Sequence, residues 1–333
     1  MMRRIKIVQI GTSANSHGNF IWNSLKKQKD IFQIVGYAMP EREREKYPER
    51  MADFEGYTEL TIEEILNNPE IEAVAVETEE CFLTKYALMA AEHGKHIHME
   101  KPGGTVLSDF ERLISTAKKN GVVFHMGYMF RYNPCITELI RRVKAGELGE
   151  VISVEAQMNC PHTKEQRKWL EKYKGGSMFF LGCHLIDLIL QIKGKPDRII
   201  SLNKSTGADG TKAEDFGMAV LEYNNGICFA KVNSNELGGF TRRQLVVSGT
   251  KGTVELKPLE SLVDGGQITT KTEYLSTDWF DKGKTSDSAI HDRYDPMMRS
   301  FAEIIRKDKT NPYGYDYELE LYKTILAACM LEK

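Results

Sequence analysis

A lysine between a glutamate and a proline, in a turn after an apolar strand, is the first group here that could do chemistry. Residues 96–104 read HIHMEKPGG, and a Ser-x-x-Glu pattern follows at residues 108–111. That pattern predicts a capping box and therefore a helix. Pro102 biases Lys101 towards an extended backbone, and the bond between them can be cis. A lysine at the end of a parallel strand lies where open α/β sheets bind ligands; a plain surface lysine is the alternative.

An imidazole and a carboxylate form the second candidate group. Residues 175–187 read GGSMFFLGCHLID, so paired glycines open a turn and an apolar helix follows as far as Ile192. His184 and Asp187 are three residues apart and share one helix face. A carboxylate placed there can orient the imidazole or raise its pKa. The alternative is a helix histidine that a neighbouring side chain satisfies.

The N-terminal region has the layout of a phosphate-binding turn. Arg4–Ile10 is apolar enough for a buried parallel strand, Gly11 ends it, and a helical pattern begins near Gly18. The fingerprint G-x-G-x-x-G is only partly present, because serines replace its second and third glycines. A plain strand-to-helix turn therefore remains open beside a dinucleotide site. The candidate cofactor-binding residues here are Gly11, Thr12, Ser13, Ser16 and His17.

The end of the second predicted strand, Phe32–Ala38, bears on the choice between NAD and NADP. An acidic residue there would hydrogen-bond the adenosine ribose, but Met39 and Pro40 follow instead. Glu41 could reach the ribose, whereas Arg42 or Arg44 could face a 2′-phosphate. A solvated charge run at the start of a helix is the alternative, so the sequence does not decide between the two cofactors.

Composition restricts the class of protein. With 333 residues, 41% hydrophobic and 28% charged, the chain is an ordinary globular protein of two domains or one large one. A net charge of −2 gives no support for a nucleic-acid partner, and the apolar runs are too short to span a membrane. The start, MMRRIKIVQIG, has no long apolar segment of a signal peptide. Six scattered cysteines lack metal-ligand spacing. We expect a cytoplasmic protein with no bound metal.

The order of predicted elements indicates two domains. Over residues 1–127, strands alternate with helices, which predicts a doubly wound parallel sheet of the Rossmann type. Residues 128–333 predict an α+β domain with a large, mostly antiparallel open sheet, and the last helix can lead back to the first domain. The strands predicted in this second part are Val151–Met158, Ile199–Leu202, Met218–Tyr223, Ile227–Asn233, Arg243–Ser248 and Thr253–Leu256; the helices are Ile136–Ala145, Pro296–Lys307 and Tyr315–Leu331.

Several of these motifs together resemble one family. GKHIHMEKP at 94–102, GYMFRYNP at 127–134, GELGEV at 146–151 and GG…GCHLID at 175–187 occur in the order typical of the Gfo/Idh/MocA oxidoreductases. The resemblance covers most of the chain. It implies a Rossmann domain that binds NAD or NADP, and a C-terminal domain whose large sheet packs dimers or tetramers.

The resemblance also implies roles for particular residues. Lys101 would lie beside substrate and nicotinamide with Pro102 in cis, and His184 would accept or donate the proton. Thr78, Glu100, Lys101 and Pro102 join the cofactor-binding candidates. Chemically, Lys101 can steady a developing alkoxide, His184 can act as the base, and Asp187 can orient it. The candidate substrate-binding residues are Lys101, Tyr128, Arg131, Trp169, Phe180 and His184; core packing for the aromatics and a domain-bridging ion pair for Arg131 are the alternatives.

The chain departs from the family pattern in four places. Two are the incomplete glycine fingerprint and the missing ribose acid. The loop after the third strand, usually T-P-N-x-x-H, reads TEECFL at 78–83. The aspartate that the family usually carries four residues before the histidine is Phe180. Its ring can present an apolar surface to a sugar or select a less polar substrate.

Three functions remain as hypotheses. The leading one is reversible hydride transfer between a secondary alcohol of a sugar, polyol or related small molecule and the nicotinamide of NAD or NADP. The second keeps NAD bound and uses transient oxidation for elimination or glycoside cleavage. The third is a non-catalytic nucleotide- or sugar-binding member of the family.

Overall fold

The structure is a computed structural model that describes residues 3–331, and these residues form two compact units. The first unit contains the chain through Met129 together with Tyr294–Tyr322. The second contains Phe130–Arg293 and the chain from Lys323 onward.

In chain order the strands are β1 (Ile5–Ile10), β2 (Phe32–Ala38), β3 (Ala73–Val76), β4 (His96–Met99), β5 (Phe124–Met126), β6 (Val151–Asn159), β7 (Arg198–Lys204), β8 (Phe216–Tyr223), β9 (Gly226–Asn233), β10 (Gln244–Gly249), β11 (Gly252–Leu256), β12 (Ser261–Val263), β13 (Gly266–Ile268), β14 (Thr270–Tyr274) and β15 (Lys284–Asp287). The helices are α1 (Gly18–Lys27), α2 (Glu43–Lys46), α3 (Ile62–Asn67), α4 (Leu83–Glu92), α5 (Leu107–Asn120), α6 (Pro134–Lys144), α7 (Lys164–Leu170), α8 (Cys183–Lys193), α9 (Asp295–Arg306) and α10 (Tyr315–Ala328).

The first unit is a doubly wound sheet, as the sequence predicts. Its five strands lie in the order β2-β1-β3-β4-β5, and every neighbouring pair is parallel. The strand β3, AVAV, is buried at all four positions. Continuous apolar runs are typical of parallel strands whose two faces are both covered. This arrangement brings the carboxyl ends of all five strands to one edge of the sheet.

Two capping boxes predicted from the sequence can be compared with the structure. The sequence TIEE at residues 61–64 also predicts a capping box. This box is confirmed, because the Thr61 hydroxyl accepts from the backbone of Glu64, whose side chain accepts from the backbone of Thr61. The box predicted at Ser108 and Glu111 is wrong. Helix α5 already begins at Leu107, after Val106, and has no side-chain cap. Ser108 therefore lies in the first turn of the helix and not at the N-cap position.

The second unit contains the large, mostly antiparallel sheet that the sequence predicts. Its eight strands lie in the order β15-β14-β11-β10-β6-β9-β8-β7. Among these neighbours, as far as the structure describes the chain, β6 and β9 alone are parallel. Helix α8 packs on β6. The sequence analysis missed α7 and the strands from β12 to β15. They are short, and β15 is exposed at every position, so no alternation of buried and exposed residues marks it.

Membrane-spanning helices were also sought. Within residues 3–331, no helix has both the length and the apolar character that a membrane crossing requires.

Candidate functional site

The turn after β4 buries the candidate lysine in the first unit. Lys101 is 1% exposed, and the Lys101–Pro102 bond is cis. Its Nζ lies 3.6 Å from Oε1 of Glu100, which is equally buried. An ammonium and a carboxylate therefore stand together at the carboxyl end of a parallel strand, where open α/β sheets bind ligands.

Glu100 joins this turn to the one that follows β1. Its Oε2 lies 2.9 Å from Nδ1 of His17 and accepts from the backbone N–H of His17 at 3.4 Å. Burial favours the neutral carboxyl, but the charges of His17 and Lys101 prevail and hold the pKa of Glu100 at about 2. Glu100 is therefore an anion near neutral pH.

The turn after β1 is tightly packed. Gly11 has φ +85°, and a Cβ there would lie 2.6 Å from Cγ2 of Thr78 and 2.8 Å from Oε2 of Glu43. The Thr12 backbone N–H donates to the same oxygen of Glu43 at 2.8 Å. Only glycine permits both the backbone angle and this close approach. A carboxylate therefore rests directly on the start of the predicted phosphate-binding turn.

The other predicted residues of this turn lie at the same sheet edge. Ser13 donates its N–H to the carbonyl of Glu77 at 3.0 Å, and the Ser16 hydroxyl donates to the carbonyl of Ser13 at 3.0 Å. Helix α1 begins immediately afterwards, at Gly18. The turns after β1, β3 and β4 thus meet, as expected for parallel strands.

Glu41 contacts helix α4. Its Oε1 accepts from Nζ of Lys85 at 2.6 Å and from the hydroxyl of Tyr86 at 2.7 Å. The hydrogen bonds from these two groups lower the pKa of Glu41. The arginines that the sequence offered for a 2′-phosphate pair locally, Arg42 with Glu45 and Arg44 with Glu59.

Glu43 is a candidate that the sequence analysis missed. It is 1% exposed, and burial raises its pKa to about 7. The two residues before it have positive φ angles, +56° at Glu41 and +60° at Arg42. This uncommon backbone conformation comes directly before α2, whose first residue is Glu43. The Glu43 carboxylate then points inward, towards Thr12. No glycine in the sequence signals such a bend.

Two further buried glutamates surround this edge. Glu77 and Glu80 are both fully buried. Burial raises the pKa of Glu80 to about 8. Burial and then the charge of Glu100 raise the pKa of Glu77 well above its usual value. Glu80 is therefore largely neutral at pH 7, so the edge carries less negative charge than its residue types suggest.

In the second unit, the candidate histidine lies on α8. His184 is 1% exposed, and its ring centroid lies 5.4 Å from that of Phe130 in an edge-on arrangement. A π-helical turn, Met178–Gly182, runs directly into α8. Phe180 lies on that turn, four residues before His184.

Asp187, the predicted orienter of His184, is bound by an arginine. Arg131 donates from Nη2 to Oδ1 of Asp187 at 2.8 Å and from Nε to Oδ2 at 3.0 Å. Gln191 donates to Oδ2 at 2.8 Å. Both charged side chains are 1% exposed. The ion pair considered for Arg131 therefore exists, but both partners belong to the second unit and it does not bridge the two units.

The remaining substrate candidates divide between the units. Tyr128 is 1% exposed and lies in the first unit just after β5. Trp169, on α7, and Phe180 contact each other in the second unit, with ring centroids 5.1 Å apart and planes at 77°. Both rings are partly exposed. Among residues 3–331, no group of three or more His, Cys, Asp or Glu side chains could hold a metal ion.

The first unit has features that fit a dinucleotide. The N-terminus of α1, which has ten residues, follows the turn and would face a pyrophosphate. The Glu43 carboxylate on Thr12 is of the type that binds ribose hydroxyls. When bound, NAD would supply the hydride acceptor.

Comparison with known proteins gives the family. A model described as "Oxidoreductase family, NAD-binding Rossmann fold" matches residues 3–128, and one described as "GFO/IDH/MocA C-terminal domain" matches residues 136–255. An aldose-aldose oxidoreductase from Caulobacter crescentus shares the fold, with a TM-score of 0.79, 20% identity, and coverage of 99% of this chain and 97% of that one.

Three relatives resemble parts of the chain. The uncharacterized oxidoreductase YhhX of Escherichia coli is 28% identical over 63% of this chain and 60% of its own. The scyllo-inositol 2-dehydrogenase (NADP(+)) IolW of Bacillus subtilis is 26% identical over 49% and 46%. The trans-1,2-dihydrobenzene-1,2-diol dehydrogenase of Bos taurus is 26% identical over 61% of each. The chain thus spans less than two thirds of each relative's length. Two family models that together match more than half of the chain show that it belongs to the Gfo/Idh/MocA oxidoreductases, with an NAD-binding Rossmann fold.

Proposed function

We propose that this chain transfers a hydride between a secondary alcohol of a small sugar- or polyol-like molecule and the nicotinamide of a bound dinucleotide. The burial of Lys101 beside Glu100, at the carboxyl end of β4, carries this proposal. A buried ammonium there can steady the oxygen of an alcohol as its proton leaves. The relatives named after scyllo-inositol and dihydrobenzenediol also act on ring alcohols by their names, which supports this substrate class.

The residues have distinct roles in the proposed reaction. His184 accepts the hydroxyl proton during oxidation and returns it during reduction. Lys101 stabilises the negative charge on the oxygen. Asp187 is a positioning residue, because its paired hydrogen bonds with Arg131 hold the helix that carries His184.

We further propose that NAD is preferred over NADP. The Glu43 carboxylate contacts the turn after β1 at Thr12, and a carboxylate beside the ribose accepts hydrogen bonds from its hydroxyls. A 2′-phosphate at that position would meet a group of like charge whenever Glu43 is ionised.

The oligomer is also a proposal. The sequence resemblance implies a homodimer or homotetramer that packs through the large sheet. Three large apolar side chains on strands of this sheet are exposed, namely Ile152 at 44%, Leu202 at 48% and Ile227 at 57%. Burying such residues would favour association. Sedimentation velocity should therefore find a species larger than the monomer.

Single substitutions at the two groups test the proposed chemistry. We expect Lys101→Met and His184→Asn each to lower kcat/KM for a panel of cyclic and open-chain alcohols by about 10²- to 10³-fold. Lys95→Met is the matched control for Lys101, because Lys95 is also buried, at 4% exposure, but donates to backbone carbonyls. His291→Asn is the control for His184. Equal rates in the Lys101 and His184 variants and the wild type would overturn the assignment.

Product analysis separates the other hypotheses. NAD-assisted elimination would consume substrate without net formation of NADH. A protein that binds NADH and an alcohol but turns over no member of the panel would be a non-catalytic family member.

A further inference from the structure

A group of aromatic rings occupies the place where the family usually has an aspartate. The ring of Phe180 lies 5.1 Å from Trp169 and 6.1 Å from the imidazole of His162. We call Phe180, Trp169 and His162 the aromatic cluster. Because Phe180 precedes His184 by one helical turn, the two side chains leave the same side of this helical segment.

The aromatic cluster is partly open, unlike the rings packed behind it. All three of its members are partly exposed. Tyr173 and Phe179, by contrast, are 5% and 1% exposed and stack on each other with centroids 5.6 Å apart. Trp169 also contacts Tyr173, at 4.9 Å. The buried pair thus supports the cluster from the core side, and the partly exposed residues of the cluster are the ones that a ligand can reach.

The local fold holds the cluster in place. Trp169 lies on α7, whose start is capped reciprocally by Thr163 and Gln166. His162 donates its backbone N–H to the carbonyl of Ser234 at 2.9 Å. Both elements that face Phe180 are therefore fixed by hydrogen bonds, as a preformed binding surface requires.

A phenylalanine at position 180 interacts with a substrate differently from an aspartate. Phe180 cannot accept a hydrogen bond from a substrate hydroxyl, so each hydroxyl placed against it would lose its water partners without compensation. Ring faces instead favour contact with C–H surfaces. A molecule with hydroxyls on every carbon is disfavoured there, and a molecule with an apolar ring face is favoured.

Resting on the function proposed above, we infer that the substrate is a cyclic alcohol with few hydroxyls, whose apolar ring face packs on Phe180 and Trp169. Its remaining ring carbons carry hydrogen, not hydroxyl. The hydroxyl to be oxidised points towards His184, on the same side of the helix as Phe180. Open-chain polyols and fully hydroxylated rings are poor substrates.

Kinetics with matched probes test the inference. The probes are trans-1,2-cyclohexanediol, myo-inositol and ribitol. We expect the wild type to have the highest kcat/KM with cyclohexanediol. Phe180→Leu and Trp169→Leu should each raise the KM for that diol about fivefold with a smaller change in kcat, which corresponds to the loss of about 1 kcal/mol of ring contact. Phe180→Asp should shift the preference towards myo-inositol. Phe240→Leu, a partly exposed phenylalanine of the same unit, is the control and should leave these values unchanged.

A binding measurement keeps the inference separate from the catalytic proposal. Saturation-transfer NMR on the Lys101→Met protein with NADH should show transfer from aromatic protons to cyclohexanediol, and Phe180→Leu should abolish it. Such transfer without turnover of any alcohol by the wild type would overturn the proposed function and support the ring site. Turnover of alcohols with no dependence on Phe180 or Trp169, or equal binding of ribitol and cyclohexanediol, would overturn the ring site and leave the function standing.

Discussion

The two units offer their candidate groups in opposite surroundings. In the first, Lys101 lies at a sheet edge beside the buried carboxyls of Glu77, Glu80 and Glu100. In the second, His184 lies on a helix next to the ring of Phe130, one turn after Phe180. The first unit controls charge, because shifted pKa values decide which carboxyls are anions. The second provides apolar surface next to His184, and its buried Arg131–Asp187 ion pair is compensated. The charge at the candidate site thus depends on the first unit, and the apolar surface depends on the second.

The largest effect should come from breaking that ion pair. Arg131→Met leaves the Asp187 carboxylate buried without the guanidinium that pairs with it. Removing one partner of a buried pair costs about 3–5 kcal/mol in the free energy of unfolding. Urea unfolding, followed by far-UV circular dichroism, measures this.

The control is the exposed pair of Arg141 and Glu138, whose side chains are 59% and 46% exposed. Arg141→Met should cost less than about 1 kcal/mol. Equal losses in the two variants would mean that the second unit does not depend on its buried pair, and the contrast between the units would fail.

The charge of the first unit can be tested through pH. The pKa of Glu80 is raised to about 8 in the folded state, above the usual value, so the folded protein binds the proton more tightly. That stabilisation is complete at acid pH and is lost as pH rises through about 8. The buried His98 has a pKa lowered to about 4 by burial, and its own contribution is complete above about pH 6.5.

Between pH 6.5 and 8.5, therefore, Glu80→Gln should flatten the pH dependence of the unfolding free energy relative to the wild type. The expected difference over this range is about 2 kcal/mol, from 1.36 kcal/mol per pKa unit. The exposed Glu63→Gln variant should retain the wild-type slope. Parallel curves for Glu80→Gln and wild type would show that Glu80 is ionised in the fold.

Particular residues show how far the sequence could predict this molecule. The alternation of strands and helices determines which strand ends meet at one edge, so the proximity of Gly11 to Thr78 and of His17 to Glu100 followed from the order of elements. Glu43 did not, because its inward placement depends on two successive residues with positive φ and no glycine marks them. Glu80 did not either, since acidic residues are usually exposed.

In the second unit, the contacts that the sequence could not predict were missed for a different reason. Arg131 and Asp187 are 56 residues apart, and nothing local in either segment identifies the partner. The contact between Trp169 and Phe180 likewise requires α7, which the sequence analysis missed. Long-range pairs of this kind depend on the packing of the whole unit, whereas the cap at Thr61 depends on four consecutive residues and was predicted.

A smaller effect is expected at the cofactor turn. Glu43→Gln removes a charged acceptor, and we expect the Kd for NADH to rise about tenfold because hydrogen bonds to charged groups contribute about 1.5–3 kcal/mol. The Kd for NADPH should stay the same or fall. Fluorescence titration with both dinucleotides measures this. Glu41→Gln is the matched control. A loss of NADH affinity in that variant alone would show that Glu41, and not Glu43, binds the ribose.

The smallest effect compares one capping motif in the two units. Thr61→Ala and Thr163→Ala each remove a reciprocal capping box, and each should lower stability by about 1 kcal/mol. Their functional effects should differ. Fraying of α7 loosens Trp169, so Thr163→Ala should raise the KM for cyclohexanediol by a few fold, whereas Thr61→Ala should leave it unchanged. If both variants change KM equally, the effect is a general loss of stability and the ring surface does not depend on α7. If only Thr163→Ala changes the KM, the Thr163 hydroxyl affects substrate binding through α7 and Trp169, without contacting the substrate and without changing the site around Lys101.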